Sequence, residues 1–177
     1  FTQGFDGSGK FQQAFLTQVQ KDYLVIHDGK LKKVSAYYEI GLLDKPINIQ
    51  YTYKEYNSQD NKAYTYIDTY EFGMDQAVSK QKIWKEFDNS RLITHVLTFE
   101  LGTLVSEQLT WKQVETINGV RTIVTYTDTF EFGVFTNRQK AYRMSREDSY
   151  ETVIENYDPL FSEKDPISIQ RVYFAFV

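Results

Sequence analysis

A four-residue pattern, aromatic-Glu-apolar-Gly, occurs four times in this chain. Its copies are YEIG, YEFG, FELG and FEFG, which begin at Tyr38, Tyr70, Phe99 and Phe130 and follow one another at steps of 32, 29 and 31 residues. A period near thirty residues is too short for a domain, but it suits a hairpin of two strands of about ten residues and two turns. This pattern, called the Glu–Gly repeat below, therefore predicts a fold built of β-hairpins.

The composition favours β-strands and argues against several classes of protein. Aromatic residues make up 16% of the 177 residues, with 14 Tyr and 13 Phe, and such side chains are enriched in strands. The net charge is −4 and no basic run occurs, which argues against nucleic-acid binding. No apolar stretch has the length of a transmembrane helix. The absence of cysteine excludes disulfides, thiol nucleophiles and cysteine-bound metals.

The spacing of the apolar residues predicts one short helix followed by strands. Residues 1–9 are rich in glycine and predict a flexible arm, and apolar residues at helical spacing predict a helix over residues 10–20. From residue 21 to residue 177 the apolar period is two. The predicted strands cover residues 21–27, 31–40, 46–55, 62–72, 80–87, 91–101, 104–114, 121–132, 139–146, 150–157 and 167–177. Short turns rich in Asp, Asn and Gly predict antiparallel pairing of neighbouring strands.

So many strands would leave long exposed edges in an open sheet, and closure into a barrel removes such edges. We therefore expect residues 1–177 to form a single all-β domain, an up-and-down antiparallel meander closed into a ten- or eleven-stranded barrel. This strand pattern resembles the calycin group, which includes the lipocalins and the fatty-acid-binding proteins. The Gly-x-Trp signature that lipocalins carry near the first strand is absent here, so the resemblance assigns no binding residue.

The alternation within the strands predicts which side chains face the barrel interior. Val34, Tyr66, Val124 and their alternate neighbours fall on the inner face, whereas the glutamates of the Glu–Gly repeat fall on the outer face near one rim. The glycine that follows each glutamate predicts a turn or bulge conformation closed to other residues. The repeat is thus interpreted as turn chemistry.

Polar side chains on the predicted inner face define a candidate ligand site. Asp68 and Asp128 lie five residues before the glycine of their repeats, and Tyr66, His95 and Tyr126 lie seven residues before theirs. A buried carboxylate needs a hydrogen-bond donor, such as a tyrosine hydroxyl, a histidine or a lysine. We expect these five residues to line a cavity together with Tyr53, Trp84, Glu107, Trp111 and Tyr142.

Two other interpretations of the same residues stay open. The polar groups could satisfy one another within a filled core or around buried water. Alternatively, an Asp–His or Asp–Tyr pair could act in acid–base catalysis.

Three functions follow from this predicted architecture. A wide barrel with aromatic walls favours a binding or carrier protein that holds a small apolar or aromatic molecule. The first alternative is a structural or assembly module of repeated β-hairpins, on a surface or in a filament, and a homo-oligomer is compatible with it. The second alternative is a barrel enzyme, such as an isomerase, cyclase or lyase, that acts on such a ligand.

No cofactor or metal ion is expected. His27 and His95 are far apart in the sequence, and Asp6 in the glycine-rich arm is a single oxygen ligand, too few for calcium. No phosphate-binding loop and no nucleophilic serine motif occurs. The chain begins at Phe1 rather than at methionine, as a protein that has lost a signal peptide does, so we expect an extracytoplasmic location, periplasmic or secreted.

Overall fold

A computed structural model describes residues 18–41, 43–145, 148–162 and 164–175 of the chain. These ranges contain eleven β-strands and no helix. The strands are β1 (Gln18–His27), β2 (Lys30–Glu39), β3 (Asn48–Asn57), β4 (Lys62–Glu71), β5 (Ser79–Asp88), β6 (Arg91–Glu100), β7 (Thr103–Ile117), β8 (Val120–Glu131), β9 (Val134–Ser145), β10 (Ser149–Tyr157) and β11 (Ser168–Ala175).

The eleven strands form one antiparallel sheet in which they follow one another in chain order. The prediction of an all-β antiparallel meander is thus confirmed. The predicted closure into a calycin-like barrel is wrong, because the strand order starts at β1 and stops at β11 without returning. Exposed edges can be protected by other means than closure. Here the first strand carries Lys21 and Asp22, and the last strand has eight residues, among them Arg171.

The helix predicted over residues 10–20 is not seen where the structure describes this segment. Gln18, Val19 and Gln20 belong to β1 and pair with residues 37–39 of β2. The hydrogen-bonded ladder to β2 therefore overrides the helical spacing of the apolar residues. Residues 1–17, which include the predicted arm, lie outside the described part of the chain.

The chain divides into two compact units. The first unit contains the described residues up to Tyr53 together with Tyr66–Lys80, and the second contains Lys54–Thr65 and the described residues from Gln81 onward. Both β3 and β4 contribute residues to each unit. The single domain expected from the sequence stays a prediction.

Strand periodicity places the most buried side chains of each unit on one face of the strands. In the first unit these are Val34 and Ala36, and in the second they include Val124 and Val153. Most of the other side chains on this face are half-buried. The sheet is not closed, so these side chains are shielded from water mainly by the side chains next to them on the same face. We call this the aromatic face, since it also carries Tyr51, Tyr53, Tyr64, Tyr66, Trp84, Trp111, Tyr126 and Tyr142.

The two-residue turns after β1, β5 and β7 differ in chemistry from those after β6 and β8. Asp28, Asn89 and Asn118 adopt φ values of 53°, 46° and 50°, and Asp and Asn tolerate this left-handed region better than most residues. After β6 and β8 the same position is occupied by Leu101 and Phe132, with φ values of 47° and 49°. The fold therefore places bulky apolar residues where Asn is the common choice.

The Glu–Gly repeat has the turn conformation that the sequence predicts. Its four glycines adopt φ values of 93°, 82°, 84° and 80° at Gly41, Gly73, Gly102 and Gly133, a region that most side chains avoid. The glutamates that precede them, Glu39, Glu71, Glu100 and Glu131, are exposed. Both observations agree with the interpretation of the repeat as turn chemistry.

Candidate functional site

The aromatic face of the first unit holds a buried carboxylate beside a pair of stacked rings. The rings of Tyr53 and Tyr66 lie 5.3 Å apart with 21° between their planes. The Tyr53 hydroxyl donates a hydrogen bond of 3.0 Å to Oδ2 of Asp68, and Lys80 Nζ lies 3.7 Å from Oδ1. Asp68 is 7% exposed, so the desolvation of its charge is offset by one hydroxyl and one ammonium group.

The second unit repeats this arrangement with stronger partners. Trp111 and Tyr126 stack at 5.4 Å with 11° between their planes. Beside them, Arg138 donates from Nε to Oδ1 and from Nη2 to Oδ2 of Asp128, each at 2.7 Å. Asp128 is also 7% exposed. The internal repeat of the sequence therefore builds the same stack-and-carboxylate motif in both units, and the cation contacts Asp128 far more closely than it does Asp68.

His95 lies between two carboxylates on the aromatic face of the second unit. Its ring stacks on Trp84 at 4.6 Å and 9°. Its Nε2 lies 3.1 Å from Oε1 of Glu86, and its Nδ1 lies 3.9 Å from Oε1 of Glu107. Glu86 also accepts a hydrogen bond from Lys62, so the histidine lies beside a lysine–glutamate ion pair.

Lys140 links a second set of polar groups on the same face. Its Nζ lies 3.2 Å from Glu115 and 3.9 Å from Glu155. The Tyr126 hydroxyl donates to Glu115, and the Tyr142 hydroxyl donates to Glu155 at 2.9 Å. The two acceptors thus lie on β7 and β10, and the donors lie on β8 and β9 between them.

These contacts shift the pKa values of the groups involved. Burial, together with the hydrogen bond to Glu155, raises the pKa of Tyr142 to about 12. Burial and the hydrogen bond to Glu115 raise the pKa of Tyr126 in the same direction. Burial alone would raise the pKa of Glu115, but the hydrogen bonds from Tyr126, Gln113 and Lys140 outweigh it and lower that pKa. The network therefore favours neutral Tyr126 and Tyr142 hydroxyls and a charged Glu115.

The ten residues predicted to line one cavity are divided between the units. Tyr53, Tyr66 and Asp68 belong to the first unit. The other seven belong to the second unit, where the contacts described above place them in three groups: Trp111, Tyr126 and Asp128; Trp84, His95 and Glu107; and Tyr142 with its carboxylate partner. The sheet is not closed, so the barrel interior expected to hold them is not formed, and their binding of one ligand stays a prediction.

The cations on the aromatic face were missed from the sequence. Arg138 lies opposite Asp128 in the β8–β9 register, but the predicted strand began at residue 139 and so left it out. Lys80 and Lys140 have the same period-two phase as the aromatic residues of their strands. This phase predicts that the two lysines share a face with the aromatic residues. The expectation of an aromatic interior left them out of the candidate site.

A hollow of about 410 Å³ opens on the first unit. Its walls include the rings of Tyr51 and Tyr70, the backbone around Gly73 and the side chains of His27 and Lys32. Lys32 is buried, and its ammonium lies 5.6 Å from the centre of the Tyr51 ring and 3.7 Å from a carboxylate oxygen of Asp28. This tyrosine hollow has the size of a small-molecule site.

A second hollow, of about 630 Å³, lies beside the Asn118-Gly119 turn of the second unit. Among the described residues that line it, Arg121 and Arg143 are charged and none is acidic. The apolar part of its lining is Ile117, Val120, Ile123 and Met144. We call it the basic hollow.

Exposed apolar side chains occur at the turns after the even-numbered strands of the second unit. Leu101 follows β6 and is 79% exposed, and Phe132 follows β8 and is 73% exposed. Leu160 and Phe161 follow β10 and are exposed to a similar extent. We call these four residues the apolar tips. A row of large apolar side chains at one end of the strands is typical of a contact surface.

Comparison with known proteins assigns no family to the chain. It matches no protein-family model, and no curated protein and no solved structure is significantly similar to it. Within the described ranges no helix is long and apolar enough to cross a membrane. The same ranges contain no cluster of three or more His, Cys, Asp or Glu side chains suited to a metal ion. The function is therefore argued from the surfaces described above.

Proposed function

We propose that this chain is a structural module that assembles with further copies of itself through its hairpin turns. The observation that supports this proposal is the conformation of Leu101 and Phe132, which combine a left-handed backbone with high exposure. The left-handed conformation costs a bulky L-residue about 1–2 kcal/mol, and the exposed side chain leaves apolar surface in water. A partner surface that covers the tips offsets both costs.

The chemistry around the tips favours a second copy as that partner. Each of the two tip residues follows an exposed glutamate, Glu100 or Glu131, so the complementary surface must be apolar and cationic. The basic hollow of the same chain has that composition. Repeated hairpins of this kind are also the feature that predicted an assembly module from the sequence.

Light scattering across a concentration series tests this function. The weight-average mass should rise above the 20.9 kDa of one chain as the concentration increases. The double variant Leu101→Asn/Phe132→Asn should stay monomeric at concentrations where the unaltered chain assembles. A constant mass of one chain for the unaltered protein at every concentration would contradict the proposal.

The tyrosine hollow supports a second candidate, the binding of a small aromatic or apolar molecule. Its open position replaces the enclosed barrel cavity expected from the sequence, and Tyr51 and Tyr70 provide flat walls. Native mass spectrometry of the purified protein should then detect a bound small molecule that a Tyr51→Ser variant loses. Loss of the same molecule from a Tyr126→Ser control would place the site elsewhere.

A catalytic role has weaker support from the geometry. Both oxygens of Asp128 accept hydrogen bonds from Arg138, so the carboxylate is already engaged in a two-point ion pair rather than open to a substrate. The extracytoplasmic location expected from the sequence suits a surface or filament module, and fractionation of the source cells would test it.

A further inference from the structure

We infer that the copies join head to tail, with the Phe132 turn of one copy seated in the basic hollow of the next. This inference rests on the proposed self-assembly and names the two surfaces that carry it. The surfaces differ in sequence and in charge, so the contact is heterologous. A heterologous contact generates an open filament, or a ring if the rotation between copies closes.

The two surfaces match in size and in chemistry. The tip presents the Phe132 ring and Val134, both exposed, directly after the Glu131 carboxylate. The hollow presents apolar side chains from Ile117, Val120 and Ile123 beside two guanidinium groups. A volume of about 630 Å³ has room for a phenylalanine side chain, and a glutamate next to it would meet an arginine.

The arginines of the hollow are available for such a contact. Arg121 and Arg143 are exposed, and Arg143 stacks over the Tyr150 ring at 4.1 Å, an arrangement that leaves the guanidinium edge able to donate hydrogen bonds. Two carboxylates on neighbouring strands already have cationic partners: Glu115 lies 3.2 Å from Lys140, and Glu151 accepts a hydrogen bond of 2.8 Å from Arg171. Among the described residues that line the hollow, none is an acid that would repel an incoming Glu131.

Both surfaces lie on the same strand, and this excludes their contact within one copy. β8 runs from Val120 to Glu131, so the hollow adjoins its first residues and the Phe132 turn follows its last. Twelve residues in a strand span about 36 Å at the usual rise. A strand cannot fold its two ends together, and the tip of one copy can reach a basic hollow only in another copy.

Two single variants and their mixture test the inference by light scattering. Phe132→Asn removes the tip and keeps the hollow, whereas Arg121→Glu reverses a charge in the hollow and keeps the tip. Each variant alone should be monomeric where the unaltered chain forms larger species. An equimolar mixture should form a dimer that grows no further, because each partner has one working surface. The control Lys85→Glu, an exposed charge reversal away from the hollow, should assemble like the unaltered chain.

The outcomes separate this inference from the proposed function. If the unaltered chain assembles and both single variants assemble equally well, self-assembly stands and the head-to-tail contact is wrong. If either single variant forms dimers by itself, or if the mixture stays monomeric, the contact is also not the one inferred. If the unaltered chain is monomeric throughout, the proposed function itself fails. Circular dichroism of each variant checks that the sheet is intact.

Discussion

Asp68 and Asp128 occupy equivalent positions in the two copies of the internal repeat, yet their partners differ. Both are 7% exposed, so each charge must be compensated within the protein. A tyrosine hydroxyl and a more distant lysine compensate Asp68, whereas Asp128 makes a two-point pair with Arg138. Both copies of the repeat carry the acid, but its hydrogen-bond donor lies on the preceding strand for Asp68 and on the following strand for Asp128.

This difference predicts unequal effects of the same substitution. Asp128→Asn should lower the free energy of unfolding by about 1–3 kcal/mol, because a hydrogen-bonded charge is lost from the buried end of an ion pair. Asp68→Asn should cost less, since the amide oxygen still accepts from Tyr53 and Lys80 is half exposed. Urea unfolding of the two variants measures both values. Equal losses would show that the cation beside Asp128 contributes nothing extra.

The tyrosine pKa shifts predict how stability depends on alkaline pH. The folded pKa of Tyr142 is raised to about 12, whereas an unfolded tyrosine ionises near pH 10. The contribution of Tyr142 to the free energy of unfolding is therefore fully present below about pH 10. It is lost as the pH rises towards about 12, because the tyrosine of the unfolded chain releases its proton first. Tyr142→Phe should flatten this decline in melting temperature. Tyr56→Phe, at an exposed position, should leave it unchanged.

At the scale of the elements, the turns decide how the strands are joined and what they display. The turns after β1, β5 and β7 are Asp28-Gly29, Asn89-Ser90 and Asn118-Gly119, which have the usual residues of two-residue hairpins. Those after β6 and β8 use Leu101 and Phe132 with glycine at the same φ values. The two classes have the same backbone conformation, so the apolar residues are not required by the fold.

Exchange of residues between these two turn classes should change stability in opposite directions. Phe132→Asn should raise the free energy of unfolding by about 1 kcal/mol, because Asn tolerates the left-handed region with less strain. Asn89→Leu, the reverse change at φ 46°, should lower it by a similar amount. Thermal melts of both variants under monomeric conditions are the measurement. A Phe132→Asn variant that is more stable but no longer assembles would show that Phe132 serves the contact between copies and not the turn. A less stable Phe132→Asn variant would show that Phe132 is not strained by its left-handed conformation.

At the scale of the whole molecule, the chain passes twice through each unit. β3 begins in the first unit and ends in the second, and β4 returns by the reverse route. Each unit therefore depends on strands that also serve the other.

This shared use of β3 and β4 predicts a single unfolding transition for the whole chain. Calorimetry under monomeric conditions should give one peak whose van't Hoff enthalpy equals the calorimetric enthalpy. Such a result would support the single domain expected from the sequence. Two resolved peaks would show that Tyr53–Lys54, Thr65–Tyr66 and Lys80–Gln81 are boundaries between independently folding parts.

The sequence by itself determined the β-strands, their chain-order meander, the phase of the aromatic face and the left-handed glycines of the Glu–Gly repeat. Each of these follows from local alternation or from turn chemistry, which neighbouring residues encode directly. The tertiary structure decided that the sheet stays open, because closure depends on the pairing of the first and last strands and no local pattern specifies that pairing. It also decided the partners of Asp68 and Asp128, and it showed that Leu101 and Phe132 are exposed at positive φ. Such facts depend on which residues lie opposite one another across strands, and a one-residue change in register alters them all.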